Sequence, residues 1–192
     1  MTAQMPDLFH HLGRDFAVSA IDGTGLFDPA DHGYQPAMSN SGCWRGYHCE
    51  YTLTDGRLTL TTLQLAGPAD GTARPPVLSG IRPTRATFLL NHRYQGLTIP
   101  VPFTGRLLLA ADSQHAGYLN MGFAPAWIHA TVHELTFSEG HLTATRDRST
   151  EAAATRDRLG PDGLRPSPSE PTEDWITRTF SRSFTYSLPG TE

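Results

Sequence analysis

The sequence contains no lysine: all 15 of its basic residues are arginine. That absence excludes a Schiff-base nucleophile, a lysine-anchored pyridoxal phosphate and the lysine of a phosphate-binding loop. The glycines stand singly in turns, so no glycine-rich nucleotide loop is present, and no G-x-S-x-G frames a serine nucleophile. No apolar run approaches the length of a membrane helix. The opening MTAQMPDLFHHLGRDF has neither the basic start nor the apolar stretch of a secretory signal, and a cytoplasmic location is expected. Only two cysteines occur, Cys43 and Cys49, and in a cytosolic setting they are expected to be free thiols. Net charge is −4, and the only cluster of arginines, in 145–158, is interleaved with acidic residues. Nucleic-acid binding through a basic face is therefore not expected. No cofactor is implied by any of these features.

What is present is an echo. Residues 50–62 read EYTLTDGRLTLTT and residues 134–146 read ELTFSEGHLTATR. Asp55-Gly56 and Glu139-Gly140 stand where a two-residue primed turn needs positive φ. Pairing across the first turn sets Leu53 opposite Leu58, Tyr51 opposite Leu60, Thr52 opposite Thr59 and Glu50 opposite Thr61. Across the second it sets Phe137 opposite Leu142, Leu135 opposite Ala144, Thr136 opposite Thr143 and Glu134 opposite Thr145. Each hairpin then has one apolar face and one Thr/Glu face.

Around the hairpins, Pro6 to Gly13 is punctuated like a short helix. Strands are expected at Phe16–Ile21, Thr84–Asn91, Leu97–Phe103 and Arg106–Ala111, with a turn at Gln95-Gly96. Ser149 is placed to cap a helix over 150–159 that ends at Gly160-Pro161. A Pro-rich linker to residue 171 leads to an alternating stretch, Trp175–Leu188, read as a C-terminal strand. Its apolar face carries Ile176, Phe180, Phe184, Tyr186 and Leu188 but is interrupted by Arg178 and Arg182. The expectation is one all-β domain over residues 1–192 with about nine or ten strands. An antiparallel barrel is preferred to a two-sheet sandwich, with one or two short peripheral helices.

His129, His133 and Glu134 invite a zinc reading, but strand spacing holds the two histidines about 13 Å apart. No metal site is expected, and His133 is read as a cross-strand neighbour of Arg146. Glu50 and Glu134 occupy equivalent positions of the two copies. They are either two solvent-facing glutamates, the plainer reading, or an acid–base pair at one cavity. Trp44, Arg45 and Tyr47, with Tyr118, Asn120 and Trp127 as an opposing wall, form the candidate binding cluster. Aromatic rings beside an arginine suit the mouth of a binding cavity or a protein interface.

The stretches SGCWRGY, FTGRLLL, YLNMGFAPAW, VHELTFSEGHL and DRS together resemble a set of small uncharacterised bacterial proteins, over roughly residues 15–149. The resemblance implies no catalytic assignment. The functional expectation is a non-catalytic barrel binding a small, partly apolar ligand. Two alternatives stay open: a protein-interaction module of the immunity type, and a cofactor-free cyclase or isomerase using a Glu or His.

Overall fold

The computed structural model describes residues 2–38, 40–67, 74–86, 90–114 and 120–190. Among them are nine strands: β1 (Leu8–His11), β2 (Arg14–Thr24), β3 (Tyr47–Thr54), β4 (Arg57–Leu65), β5 (Thr84–Arg85), β6 (His92–Pro100), β7 (Thr104–Ser113), β8 (His129–Ser138) and β9 (His141–Asp147). Helices follow at α1 (Ser149–Leu159), α2 (Thr172–Phe180) and α3 (Phe184–Ser187). Seven strands close a barrel in the order β3–β1–β2–β7–β8–β9–β4, with β3 and β4 completing the ring. β6 and β5 extend outward from β4. The all-β barrel is as expected. One pairing departs from the antiparallel pattern, because β1 runs parallel to β3.

Both hairpins form at the expected turns. Asp55 and Gly56 have φ of 50° and 74°, and Glu139 and Gly140 have 47° and 80°. Two successive left-handed residues give the turn whose twist matches the flanking strands. The pairs Leu53/Leu58, Tyr51/Leu60, Thr52/Thr59 and Phe137/Leu142 are formed. Beyond them each hairpin carries a bulge that shifts the register by one. Glu50 therefore faces Thr62, Thr136 faces Ala144, Leu135 faces Thr145 and Glu134 faces Arg146. His133 faces Asp147 rather than Arg146. The skipped residue is a threonine in both copies, and its hydroxyl donates to a carbonyl across the ladder. Thr61 Oγ1 reaches Glu50 O at 3.0 Å and Thr143 Oγ1 reaches Thr136 O at 3.1 Å. A side chain that can bond the backbone stabilises the unpaired residue locally.

The ring closes where the two copies meet. Arg57 and His141 are the single residue pair between β4 and β9. Around it, Leu58 N donates to Gly140 O at 2.8 Å and Leu142 N donates to Gly56 O at 2.9 Å. Equivalent positions of the echo thus exchange equivalent hydrogen bonds.

The barrel interior is filled. Phe9, Phe16, Tyr51, Leu58, Leu60, Leu63, Leu107, Leu135 and Phe137 pack into one cluster, each at most 2% exposed. A second core lies on the outer face of β2, β7 and β8. There Ala20, Leu108, Ala110 and Val132 meet Trp127, Ala152 of α1, Leu164 and Leu188.

Four segments differ from the sequence reading. The Pro6–Gly13 segment forms β1 rather than a helix, and its interior-facing Phe9 is fully buried between long-range partners. Of the expected Thr84–Asn91 strand, Thr84–Arg85 is a strand and Ala86, Leu90 and Asn91 are not; residues 87–89 lie outside the described residues. Gln95-Gly96 is no turn; it lies within β6, where the pairing to β4 slips between Leu60 and Thr62. The stretch read as a C-terminal strand is helical. Trp175 and Thr179, four residues apart, are its buried positions in α2. The apolar residues of that stretch fit a helical spacing as well as an alternating one, and packing on the barrel decides between them.

Candidate functional site

Arg45 and Tyr47 gather at a residue to which the sequence reading gave no role. Asp7, 1% exposed, accepts Arg45 Nη1 at 3.1 Å and Nη2 at 2.9 Å, Arg182 Nη1 at 2.9 Å and the Cys49 amide at 2.9 Å. Burial works to raise this carboxyl, but the two guanidiniums and the donated hydrogen bonds hold it well below its usual value. Arg45 lies over the Tyr47 ring at 4.5 Å and Arg182 over Phe123 at 5.0 Å. Burial pushes the Tyr47 phenol up to about 12. The interruption of the C-terminal apolar pattern by Arg182 is the sequence signal for this contact.

The other nominated residues divide. Trp44 is 51% exposed and lies against Phe180, ring centres 4.7 Å apart. Asn120 is buried, donating to Tyr186 Oη at 2.6 Å and accepting the Gly122 amide at 3.1 Å. Trp127, 2% exposed, belongs to the outer core with α1. Tyr118 lies outside the described residues. Arg45 and Tyr47 are therefore brought together, with Trp44 next to them in sequence on the surface, whereas Trp127 is packed away in a separate core.

Glu50 and Glu134 have different arginine partners. Glu50 alternates with the interior residues Cys49 and Tyr51, and its nearest cation is Arg93 at 3.9 Å. Glu134 meets Arg148 at 2.7 Å and Arg106 at 3.8 Å. His133 enters one end of the barrel, 5.8 Å from the His11 ring and 5.3 Å from Phe16. Cys43 and Cys49 are buried free thiols. Among the described residues no three His, Cys, Asp or Glu side chains are grouped to hold a metal ion.

Two histidines give the fold a pH dependence. His48 and His129 are 4% and 8% exposed, and burial lowers both below the ordinary 6.5. The folded state keeps them neutral while the unfolded chain takes up protons as pH falls below that value. Stability is therefore full above about pH 6.5 and declines below it, by up to about 1.4 kcal/mol per pH unit for each group. Urea denaturation is expected to show a lower midpoint near pH 5 than near pH 7.5. An unchanged midpoint would show that neither histidine is held neutral by burial.

A cavity of about 670 Å³ lies outside the barrel, lined by Ile21, Asp22, Arg106, Phe184, Thr185, Leu188 and Gly190. Its floor is made by neighbouring strands, since Asp22 of β2 is the cross-strand partner of Arg106 of β7. Arg106 Nη2 and Nε both reach Asp22 Oδ2, at 2.6 and 3.1 Å. The guanidinium also covers the Phe184 ring at 4.7 Å. From Glu134 the charges alternate onward, Arg148 to Glu151 at 3.1 Å and Glu151 to Arg146 at 2.8 Å. One wall is apolar, formed by Phe184 and Leu188 around α3. The sequence reading placed these two residues on a strand face and ended the first strand at Ile21, one residue before Asp22, so it could not assemble this groove.

Among the described residues no helix is long and apolar enough to cross a membrane. Comparison with protein families, with curated proteins and with solved structures finds no match to this chain.

Proposed function

We propose that this protein is a binding barrel whose ligand, a small and partly apolar molecule, occupies the outer groove between β2, β7 and α3 rather than the barrel lumen. The observation that carries this reading is a contrast of space. The lumen is packed with rings and leucines, while the groove is open and its volume falls within the ~300–1,000 Å³ usual for small-molecule sites. An apolar wall with few polar groups on the floor is the usual composition of such a site. The test is a titration of ¹⁵N-labelled protein with small amphipathic aromatic molecules. Shift changes are expected at Ile21, Arg106, Phe184 and Leu188, and Phe184→Ala is expected to weaken binding about tenfold or more. Changes confined to interior residues such as Tyr51 and Leu60, or no changes at all, would remove this reading.

A second reading, a protein-interaction module, draws on Trp44. A half-exposed tryptophan backed by Phe180 has the chemistry of an interface anchor. Under that reading Trp44→Ala leaves the groove's ligand affinity intact while abolishing partner binding.

A further inference from the structure

The charges on the floor of the groove are arranged to select among ligands. Arg106 is the single cation among the described lining residues, and two of its three nitrogens are hydrogen-bonded to Asp22. Nε and Nη2 face Asp22, and Nη1 lies 3.8 Å from Glu134 Oε1. One face of the guanidinium is covered by the Phe184 ring. An incoming anion at Arg106 would lie beside two carboxylates, Asp22 and Glu134, which already neutralise the guanidinium. Asp22 offers the reverse. Both contacts from Arg106 fall on Oδ2, so Oδ1 has no partner among the described residues, and the side chain is 55% exposed. A carboxylate oxygen with free lone pairs accepts hydrogen bonds and favours a donor that carries positive charge.

We propose that the groove is a site for apolar-bodied primary amines, the ammonium on Asp22 Oδ1 and the hydrocarbon body against Ile21, Phe184 and Leu188. This rests on the groove being the ligand site and adds the sign of the ligand's charge. Bound amine hydrogens would replace water at Oδ1 and leave the pair between Arg106 and Asp22 Oδ2 in place. No element of the groove has to rearrange.

The experiment uses three probes of one shape, 2-phenylethylamine, 2-phenylethanol and phenylacetate, titrated separately into the ¹⁵N-labelled full chain at low salt. Because Asp22 is more than half exposed, its charge contributes modestly, and the amine is expected to bind about threefold more tightly than the alcohol. Attraction for one and repulsion for the other make the expected preference over phenylacetate about tenfold. Asp22→Asn, which keeps the shape and the oxygen acceptor, should bring the amine to the level of the alcohol. Equal or tighter binding of phenylacetate would overturn the proposal while leaving the groove as the ligand site. So would an amine affinity unchanged by Asp22→Asn. If none of the three probes perturbs the groove, the groove reading falls and the amine site with it. The comparison of probes on the unaltered chain stands even where the variant folds poorly.

Discussion

Asp7→Ala is expected to destabilise the protein by about 3–5 kcal/mol, because breaking a buried ion pair leaves its partners charged and unpaired. Two guanidiniums lose their counter-ion here, and the Cys49 amide loses its acceptor. For a chain of this size such a loss lowers the melting temperature by roughly 10 °C or more. Arg182→Met should cost less, since Asp7 keeps both bonds from Arg45 and the bond from Cys49. Thermal denaturation of the two variants checks the order as well as the size. If Arg182→Met is the more damaging change, the carboxylate is not the centre of this network. The acid limb has its own sign. With a folded value held below 3.8, Asp7 contributes its full stability above that pH and loses it only as pH falls further.

Trp127→Ala is the second large effect, about 3–5 kcal/mol, from lost burial and the cavity left behind. The indole is 2% exposed among Ala152, Leu164 and Leu188, and a side-chain carbon placed on Gly163 would come within 3.0 Å of its ring. Little space exists into which the neighbours can relax, which places the cost toward the upper end. Its backbone carbonyl also accepts Arg156 Nη1 at 3.2 Å, a contact that survives the substitution. Denaturant unfolding should show the stability loss. A variant of native stability would mean that the outer core tolerates the void.

These two residues also mark how far the sequence could be read. The hairpins were accessible because turn chemistry and alternation are local, and both act within a dozen residues of Gly56 and Gly140. The bulges were not, since Thr61 and Thr143 fit the polar face in either register and only the backbone geometry excludes them from the ladder. β1 carries helix-like punctuation at Pro6-Asp7 and Gly13, and its strand character comes from pairing with β2 and, 42 residues away, with β3. No local rule reports such a partner. For the candidate site the same division holds. Arg45 and Tyr47 were singled out as residue types, yet the carboxylate that organises them is 38 positions away and the second guanidinium is 175 positions from that carboxylate. The groove depended on recognising α3, and an aromatic-rich stretch that satisfies two periods at once did not disclose it.

The closure of the ring by two copies of one hairpin shapes how the chain reaches its native state. Each hairpin needs only neighbouring residues and can form in about 1–10 μs. Their meeting joins Arg57 to His141, 84 residues apart, and draws no benefit from either hairpin until the intervening chain has been closed into a loop. Loop closure therefore favours each hairpin over the contact between the two. Pairing of β7 with β2 and with β8 bridges the two hairpins, and Leu58 and Leu142 exchange their bonds with the opposite turn. A topology weighted to such distant pairings folds in milliseconds to seconds. Until the ring shuts, β9 and the Arg57 end of β4 present open edges to any similar hairpin nearby. The same complementarity that seals one molecule then gives crowded, half-folded chains a way to exchange hairpins, so refolding at high concentration carries the risk of swapped dimers.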